Sequence, residues 1–436
     1  GLQDVSDNHL GAEYVRQFTV TGVSGYVLEN RSNGGMAVAT SLSVSPLGAP
    51  DGSVAFGGYY GGSGGSWYPH DLAQGDMNGD AKLDVVVANW SAATVSVYLG
   101  NGDGTFQAPT SYGCGNNPCS VAVANLDGDA AGHLDVVAVN YYAHTVSVLL
   151  GDGTGVLGAA TVTAVGNNPW DVAAADLDGD GLPEIVTANF STDNVSVLKR
   201  QGDGSYLRTD YGAGDGTHSV AVGDLSGDGK PEVVAVNANA DTVSVLVNNG
   251  SGGFAAVVNY ATGDYPRDVA IGDVDGDGTA DLVTLNVNSL SVSVLPGLGA
   301  ASFGAAADYA GLGSDPYRMS LCDLNSDGAL DVAVAVYGGN DVGLYLNQGG
   351  GALGAVLTYQ ASYNPIGVVA GDFNGDGLED VVTCNHTSNS GNYLTVWLGN
   401  MEKPLVMDPE GVWTGVGRGN LQNREDYDYW SFSGKA

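Results

Sequence analysis

At 436 residues the chain can hold two or three ordinary domains or one large repeat domain, and 43% hydrophobic residues give it ample core. Its 49 acidic against 13 basic residues leave a net charge of −36, which repels nucleic acid and anionic membrane surfaces; no apolar run is long enough to insert into a bilayer. Glycine is abundant at 69 residues but falls at fixed turn positions between apolar runs, as in a folded chain.

Residues 1–53 carry no repeat. Tyr14-Val-Arg-Gln-Phe-Thr-Val-Thr and Met36-Ala-Val-Ala-Thr-Ser-Leu-Ser-Val alternate like strands, and Pro46 to Asp51 reads as a linker. The start at Gly1 is read as a processed N-terminus.

A repeat fills residues 54–400, and Asp273-Val-Asp275-Gly-Asp277-Gly-Thr279-Ala-Asp281 is its clearest copy. Oxygen-bearing side chains stand at positions 1, 3, 5 and 9, a backbone carbonyl is available at position 7, and glycine allows the sharp turn. That is the ligand order of a loop for calcium, a hard cation that takes six to eight oxygens. No bidentate glutamate follows at position 12, and short apolar β runs flank the loop instead of helices, so the unit is strand–loop–strand. First ligands recur at Asp76, Asn125, Asp176, Asp224, Asp273, Asp323 and Asp372. Seven copies near a constant period of about 49 residues define a repeat architecture.

The predicted ligand sets, positions 1, 3, 5, 7 and 9, are Asp76, Asn78, Asp80, Lys82 and Asp84 in the first loop. The second has Asn125, Asp127, Asp129 and, after two inserted residues, Asp135; its insertion and neutral Asn125 weaken the cage. The third has Asp176, Asp178, Asp180, Leu182 and Glu184; the fourth has Asp224, Ser226, Asp228, Lys230 and Glu232, with Ser226 making it weaker than the fifth. The fifth adds Thr279 to its four aspartates, the sixth has Asp323, Asn325, Asp327, Ala329 and Asp331, and the seventh has Asp372, Asn374, Asp376, Leu378 and Asp380. Carboxylates clustered in this way repel one another without a cation, so up to seven calcium ions are expected to contribute to folding.

Each repeat has four β segments. In the fifth they are Asp268 to Gly272, Asp281 to Asn286, Ser291 to Leu295, and Phe303 to Tyr309. With no helix pattern between them they predict a four-stranded antiparallel blade, and seven blades predict an all-β propeller. A Phe…Tyr pattern marks the fourth segment, as in Phe106–Tyr112 and Phe254–Tyr260. None follows the seventh loop, but an orphan copy, Val54-Ala-Phe-Gly-Gly-Tyr-Tyr60, precedes the first. Val54–Tyr60 is therefore expected to complete the seventh blade and tie the ring shut. Residues 401–436 leave the pattern, and Asp426-Tyr-Asp-Tyr-Trp-Ser-Phe-Ser433 reads as one strand with no partner nearby in sequence.

Blocks such as Ser219-Val-Ala-Val-Gly-Asp224-Leu-Ser-Gly-Asp228-Gly-Lys-Pro-Glu232-Val-Val resemble FG-GAP/VCBS repeats. The resemblance covers roughly residues 54–400. It implies a seven-bladed calcium-binding propeller, as in integrin α-subunit heads and bacterial surface proteins, without implying one function. Arg424 to Lys435 is similar to the opening of a bacterial pre-peptidase C-terminal domain, a small extracellular β-sandwich.

In such a blade the calcium loops and the Gly-Asn-Gly-Asp-Gly turns share one face. The opposite face then offers His70, Trp170, His218, Arg267 and Tyr317 from one set of turns, and Trp90, Tyr141, Tyr142, Phe190, Tyr337 and His386 from the other. Aromatics with some polar donors suit a glycan or protein partner, and equally suit packing over the blade cores. Cys114 and Cys119 could close a short disulfide loop, and Cys322 and Cys384 could pair if their backbones approach. Sequons stand at Asn30, Asn89, Asn189, Asn194, Asn249 and Asn385. Catalysis finds no HExxH and no histidine paired with a nucleophile, and Gly61-Gly-Ser63-Gly-Gly65 lies in a glycine run without a helix. The sequence thus predicts a non-enzymatic, extracellular or cell-surface propeller, structural or adhesive. Its terminal β segments could assemble it head-to-tail into a homopolymer. The alternative is a lectin- or receptor-like propeller using its aromatic face.

Overall fold

The computed structural model of the protein describes residues 54–61, 67–361, 363–388 and 393–399, and, toward the two ends, strands alone. Phe56–Leu324 with Gly328–Gly399 form one compact unit; Gly1–Ala55, Asn325–Asp327 and Asn400–Ala436 form a second. The larger unit is a seven-bladed propeller of four-stranded antiparallel sheets. The first blade runs Pro69–Gly75, Asp84–Asn89, Thr94–Tyr98 and Thr110–Gly113, from inside outward, and the next five repeat that order. In the seventh, Pro365–Gly371, Asp380–Asn385 and Leu394–Gly399 are joined by Val54–Tyr60, the closure expected from the orphan copy. The innermost strands neighbour one another all the way round, the seventh meeting the first.

Burial explains which residues each strand uses. Every second strand, such as Asp84-Val-Val-Val-Ala-Asn89, is buried along its whole length between two adjacent blades. It is therefore a continuous apolar run rather than an alternating one. The outermost strands are mostly exposed, as in Thr110–Gly113. Each innermost strand begins at proline or threonine behind a residue with left-handed φ: Tyr68, Asn117, Asn168, Gly216, Tyr265, Asp315 and Asn364. The carbonyl of that residue accepts a backbone N–H from the turn after the second strand, for example Trp90 N–H to Tyr68 O at 3.0 Å. A register shift follows at once, between Pro69 and Asp71 in the first blade and at the same place in every other. Such a bulge re-aims side chains.

Three expectations about the propeller are corrected. The fourth segment is not one strand from phenylalanine to tyrosine. Phe303 makes an isolated bridge to Gly297, and the strand proper is Ala307–Ala310. The two aromatics instead join neighbouring blades: Tyr260 meets Phe303 edge-on at 5.4 Å, and Tyr309 donates to Gly351 O at 3.1 Å. Second, all four cysteines are free, so neither proposed disulfide forms. Third, Asn89, Asn189 and Asn385 are fully buried, each donating its amide to the third strand, as Asn89 Nδ2 does to Ser96 Oγ at 2.7 Å. That burial closes these sequons to glycosylation.

In the smaller unit Gln3–Leu10 pairs with Glu13–Thr19, and Tyr26–Glu29 pairs with Thr40–Ser43. Tyr429–Lys435 pairs with Val412–Arg418, which corrects the expectation of a C-terminal strand with no partner nearby. The linker read at Pro46–Asp51 and the glycine run around Ser63 lie outside the described residues.

Candidate functional site

Five of the loops predicted to bind calcium fold in one way, and their own sequence dictates it. The position-1 carboxylate gathers the loop: Asp273 Oδ1 accepts N–H groups from Gly276 and Asp277 at 2.8 and 3.0 Å, and Oδ2 accepts from Gly278 at 2.9 Å. Asp76, Asp176, Asp224 and Asp372 repeat this pattern. Position 6 sits at positive φ, with glycine in five loops (+88° for Gly278) and the more strained Ala81 (+63°) in the first. Position 2 is a buried apolar anchor, Met77, Leu126, Leu177, Leu225, Val274, Leu324 or Phe373. Its carbonyl receives the next blade's outer turn, as Met77 O does from Gly155 N–H and Phe373 O does from Gly104 N–H, both at 3.0 Å.

Position 9 is buried and ties two turns together. Asp84 accepts from Met77 N–H at 2.9 Å and from Gly100 N–H at 2.7 Å, which places the loop beside the Gly-Asn-Gly-Asp-Gly turn as expected. Asp135, Asp281, Asp331 and Asp380 do the same. Burial pushes Asp84 up to about 6 and Asp380 up to about 7. Glutamate at this position behaves differently. Glu232 accepts Leu225 N–H at 2.8 Å with Oε2, while its Oε1 is buried with no partner.

Carboxylate oxygens converge within 4.8 Å of one another in the third loop (Asp176, Asp178, Glu184) and the fifth (Asp273, Asp275, Asp281). The fifth set fits a hard divalent cation, as does the orphaned Glu232 oxygen, whereas the third is met by the Lys199 ammonium, which contacts Asp178 and lies 2.9 Å from Asp180. Among the second loop's predicted ligands, Asn125 donates its amide to Asp129 O at 3.2 Å, and His133 Nδ1 lies 2.6 Å from Asp129.

On the opposite face the nine predicted partner residues come together. Ring contacts run unbroken from Phe190 through His218, Trp170, Tyr141, Trp90 and His70 to Tyr317 and Tyr337, at 4.8–6.1 Å. The Arg267 guanidinium lies 4.3 Å over Tyr317. His70 and His218 are buried, and each Nδ1 is 2.8 Å from a backbone carbonyl, Cys119 O and Arg267 O. Burial lowers His70 to about 3 and holds His218 well below the usual range, so both are neutral. Tyr142 extends the cluster at 61% exposure.

One layer was missed. On six of the seven innermost strands the next residue points into the centre of the ring, Asp71, Ser120, Asp171, Ser219, Asp268 and Arg318, and the seventh has Gly367 there. Arg318 reaches Asp171 at 2.8 Å, Asp268 at 3.1 Å and Asp71 at 3.5 Å. Ser219 Oγ bridges Asp171 and Asp268 at 2.6 and 3.0 Å, and Ser120 Oγ donates to Asp171 at 2.8 Å. Burial pushes Asp71 up to about 6 despite Arg318, the most distant of the three pairs; Asp171, with the guanidinium and two hydroxyls, is held below the usual range against its burial. Aligning the repeats exposes the signal, an Asp/Ser alternation inside an apolar strand.

No curated protein matches the chain. Solved structures with a similar fold include virginiamycin B lyase from Staphylococcus aureus, at TM-score 0.56 and 10% identity, covering 80% of this chain and 99% of that one. A streptogramin B lyase gives 0.56 and 13%, covering 78% and 96%, and BBS1N in complex with ARL6DN gives 0.55 and 11%, covering 80% and 98%. At these identities the likeness is one of fold alone. The FG-GAP-like repeat family matches residues 76–131, 129–187, 176–235, 226–284 and 323–383, together more than half of the sequence. The chain belongs to the FG-GAP-like repeat family.

Proposed function

We propose that this propeller is a non-enzymatic, calcium-stabilised adhesive module working outside the cell, and that it meets a surface glycan or protein through its aromatic face. The observation that carries the partner reading is the single connected cluster of nine predicted residues, with Tyr142 exposed at its edge. Large rigid rings with polar tips give contact area at little entropic cost. Calcium is supported by the all-oxygen set of the fifth loop and by the unpartnered Oε1 of Glu232, and millimolar extracellular calcium would fill even weak sites of this chemistry. A non-enzymatic role is supported by His70, whose two ring nitrogens are taken up by Cys119 O and the Tyr317 hydroxyl. The test is binding of the full chain to glycan arrays and to candidate surface proteins in millimolar calcium, beside Trp90→Ala and Tyr142→Ala. Binding lost in both variants supports the proposal; wild-type binding that both variants retain would sink it.

A second reading is head-to-tail assembly through the terminal β segments. It is favoured by the proximity of Glu13–Thr19 and Tyr429–Lys435 within the smaller unit, because the same contact made between chains is a strand exchange. Electron microscopy of the full chain and of a chain ending at Asn400 separates the two. Filaments in the first and single rings in the second support assembly, and filaments in both refute it.

A further inference from the structure

The third and fourth loops make a matched pair. Both carry glutamate at position 9 where the other five carry aspartate, and in both one oxygen of that glutamate accepts the position-2 N–H at 2.8 Å. They differ in what meets the second oxygen. In the fourth loop Glu232 Oε1 is buried and unpartnered. In the third, Glu184 Oε1 lies 3.9 Å from the ammonium of Lys199, which also contacts Asp178 and stands 2.9 Å from Asp180. One cation therefore meets positions 3, 5 and 9.

The strand position of Lys199 is apolar or proline in the other six blades: Leu99, Leu150, Val247, Pro296, Leu346 and Leu398. The local backbone is altered to deliver it. The third strand of this blade runs on to Arg200 and pairs continuously with Tyr206–Gly212, so that Lys199 faces Leu207, where five other blades have only an isolated bridge. Lysines elsewhere in the loops do less. Lys82 and Lys230, at position 7, each reach only the exposed position-5 aspartate, at 3.4 and 3.2 Å.

We propose that the Lys199 ammonium is a tethered substitute for the divalent cation in the third loop, which is thereby closed without metal while its neighbours wait for one. This rests on the calcium reading of the loops. An ammonium supplies three donors and one charge to an oxygen cage, at no cost of capturing a free ion, because the strand already holds its stem. It leaves part of the cage charge unbalanced, and Asp178 Oδ1 stays without a partner. The third blade then keeps its loop after chelation, and the ring binds fewer ions than it has loops.

The experiment counts bound calcium by native mass spectrometry of the full chain in millimolar calcium, for the wild type, Lys199→Leu and Pro296→Lys. Leucine is the residue that several sister blades carry at this position, and Pro296→Lys moves the lysine to the fifth loop. One ion gained by the first variant and one lost by the second are expected. Counts equal to wild type in both variants overturn the inference and leave the calcium reading standing. No calcium on any of the three proteins overturns the calcium reading and this inference with it. Should Lys199→Leu fail to fold, Lys199→Gln, which keeps the stem and removes the charge, decides, an unchanged count refuting the proposal.

Discussion

Carboxylates crowd together in two regions of this ring, and the two are neutralised differently. At the centre, Asp71, Asp171 and Asp268 surround Arg318, a cation built into the chain, and two serine hydroxyls brace the carboxylates. On the loop face, Asp273, Asp275 and Asp281 and their counterparts converge with no guanidinium among their contacts; backbone N–H groups shape the loops but carry no net charge. The difference teaches where this fold depends on solution conditions. The centre carries its own cation, and on the calcium reading the loops draw theirs from solution. Lys199 places the third loop between the two strategies.

Chelation should produce the largest effect and should act on the loops alone. Each site filled at a hundredfold excess over its Kd contributes about 2.7 kcal/mol. With several sites per chain, the thermal unfolding temperature should fall markedly in excess chelator and return with calcium. A midpoint indifferent to both would break the comparison at its root. Next in size is Arg318→Leu, which strands three buried carboxylates. Removing one partner of a buried pair costs about 3–5 kcal/mol. Urea unfolding at saturating calcium should show that loss undiminished, since no added ion replaces the guanidinium; full rescue by calcium would show that the two regions are not separate.

A pH series sharpens the same contrast. Asp71 is held at about 6, above its ordinary 3.8, so its stabilising protonated form is complete below about pH 4 and lost as pH rises through 6. A shift of this size corresponds to something on the order of 3 kcal/mol. Asp71→Asn removes that loss, so the variant should gain on the wild type between about pH 4 and pH 7 in calcium-saturated denaturant titrations. A gap that stays constant across that range would refute the assignment. The smallest effect belongs to a neutral latch. Tyr309→Phe deletes the hydrogen bond to Gly351 O and should cost about 1 kcal/mol, with no change in calcium count.

Some of these features were legible in the residues and others were not. The loop at Asp273–Asp281 is local: its ligands lie within nine residues, and its turn is enforced by glycine and by a carboxylate capping its own backbone, so spacing alone announces it. The position-9 side chains announce only half their role. Their clamp on the outer turn, as from Asp84 to Gly100, joins residues sixteen apart, and a ligand reading does not reveal it. The fourth segment was misread because Phe303 and Tyr309 look like one amphipathic strand, whereas each ring packs against a different neighbouring blade. The sequons at Asn89 and Asn189 match a pattern that burial overrides.

By itself the sequence determined the repeat, the number of blades, the ligand order of the loops and the use of Val54–Tyr60 to complete the last sheet. Period and local turn chemistry are properties of neighbouring residues, and a strand missing at one end of the chain and spare at the other can be counted. Only the tertiary structure decided that Asp71, Asp171, Asp268 and Arg318 meet, and that Lys199 enters the third loop. The first meeting joins residues up to 247 apart across the centre of the ring, and it exists only once seven bulged strands aim the same position inward. The second depends on a strand that continues two residues further than most of its sisters, a matter of pairing that residue spacing does not encode.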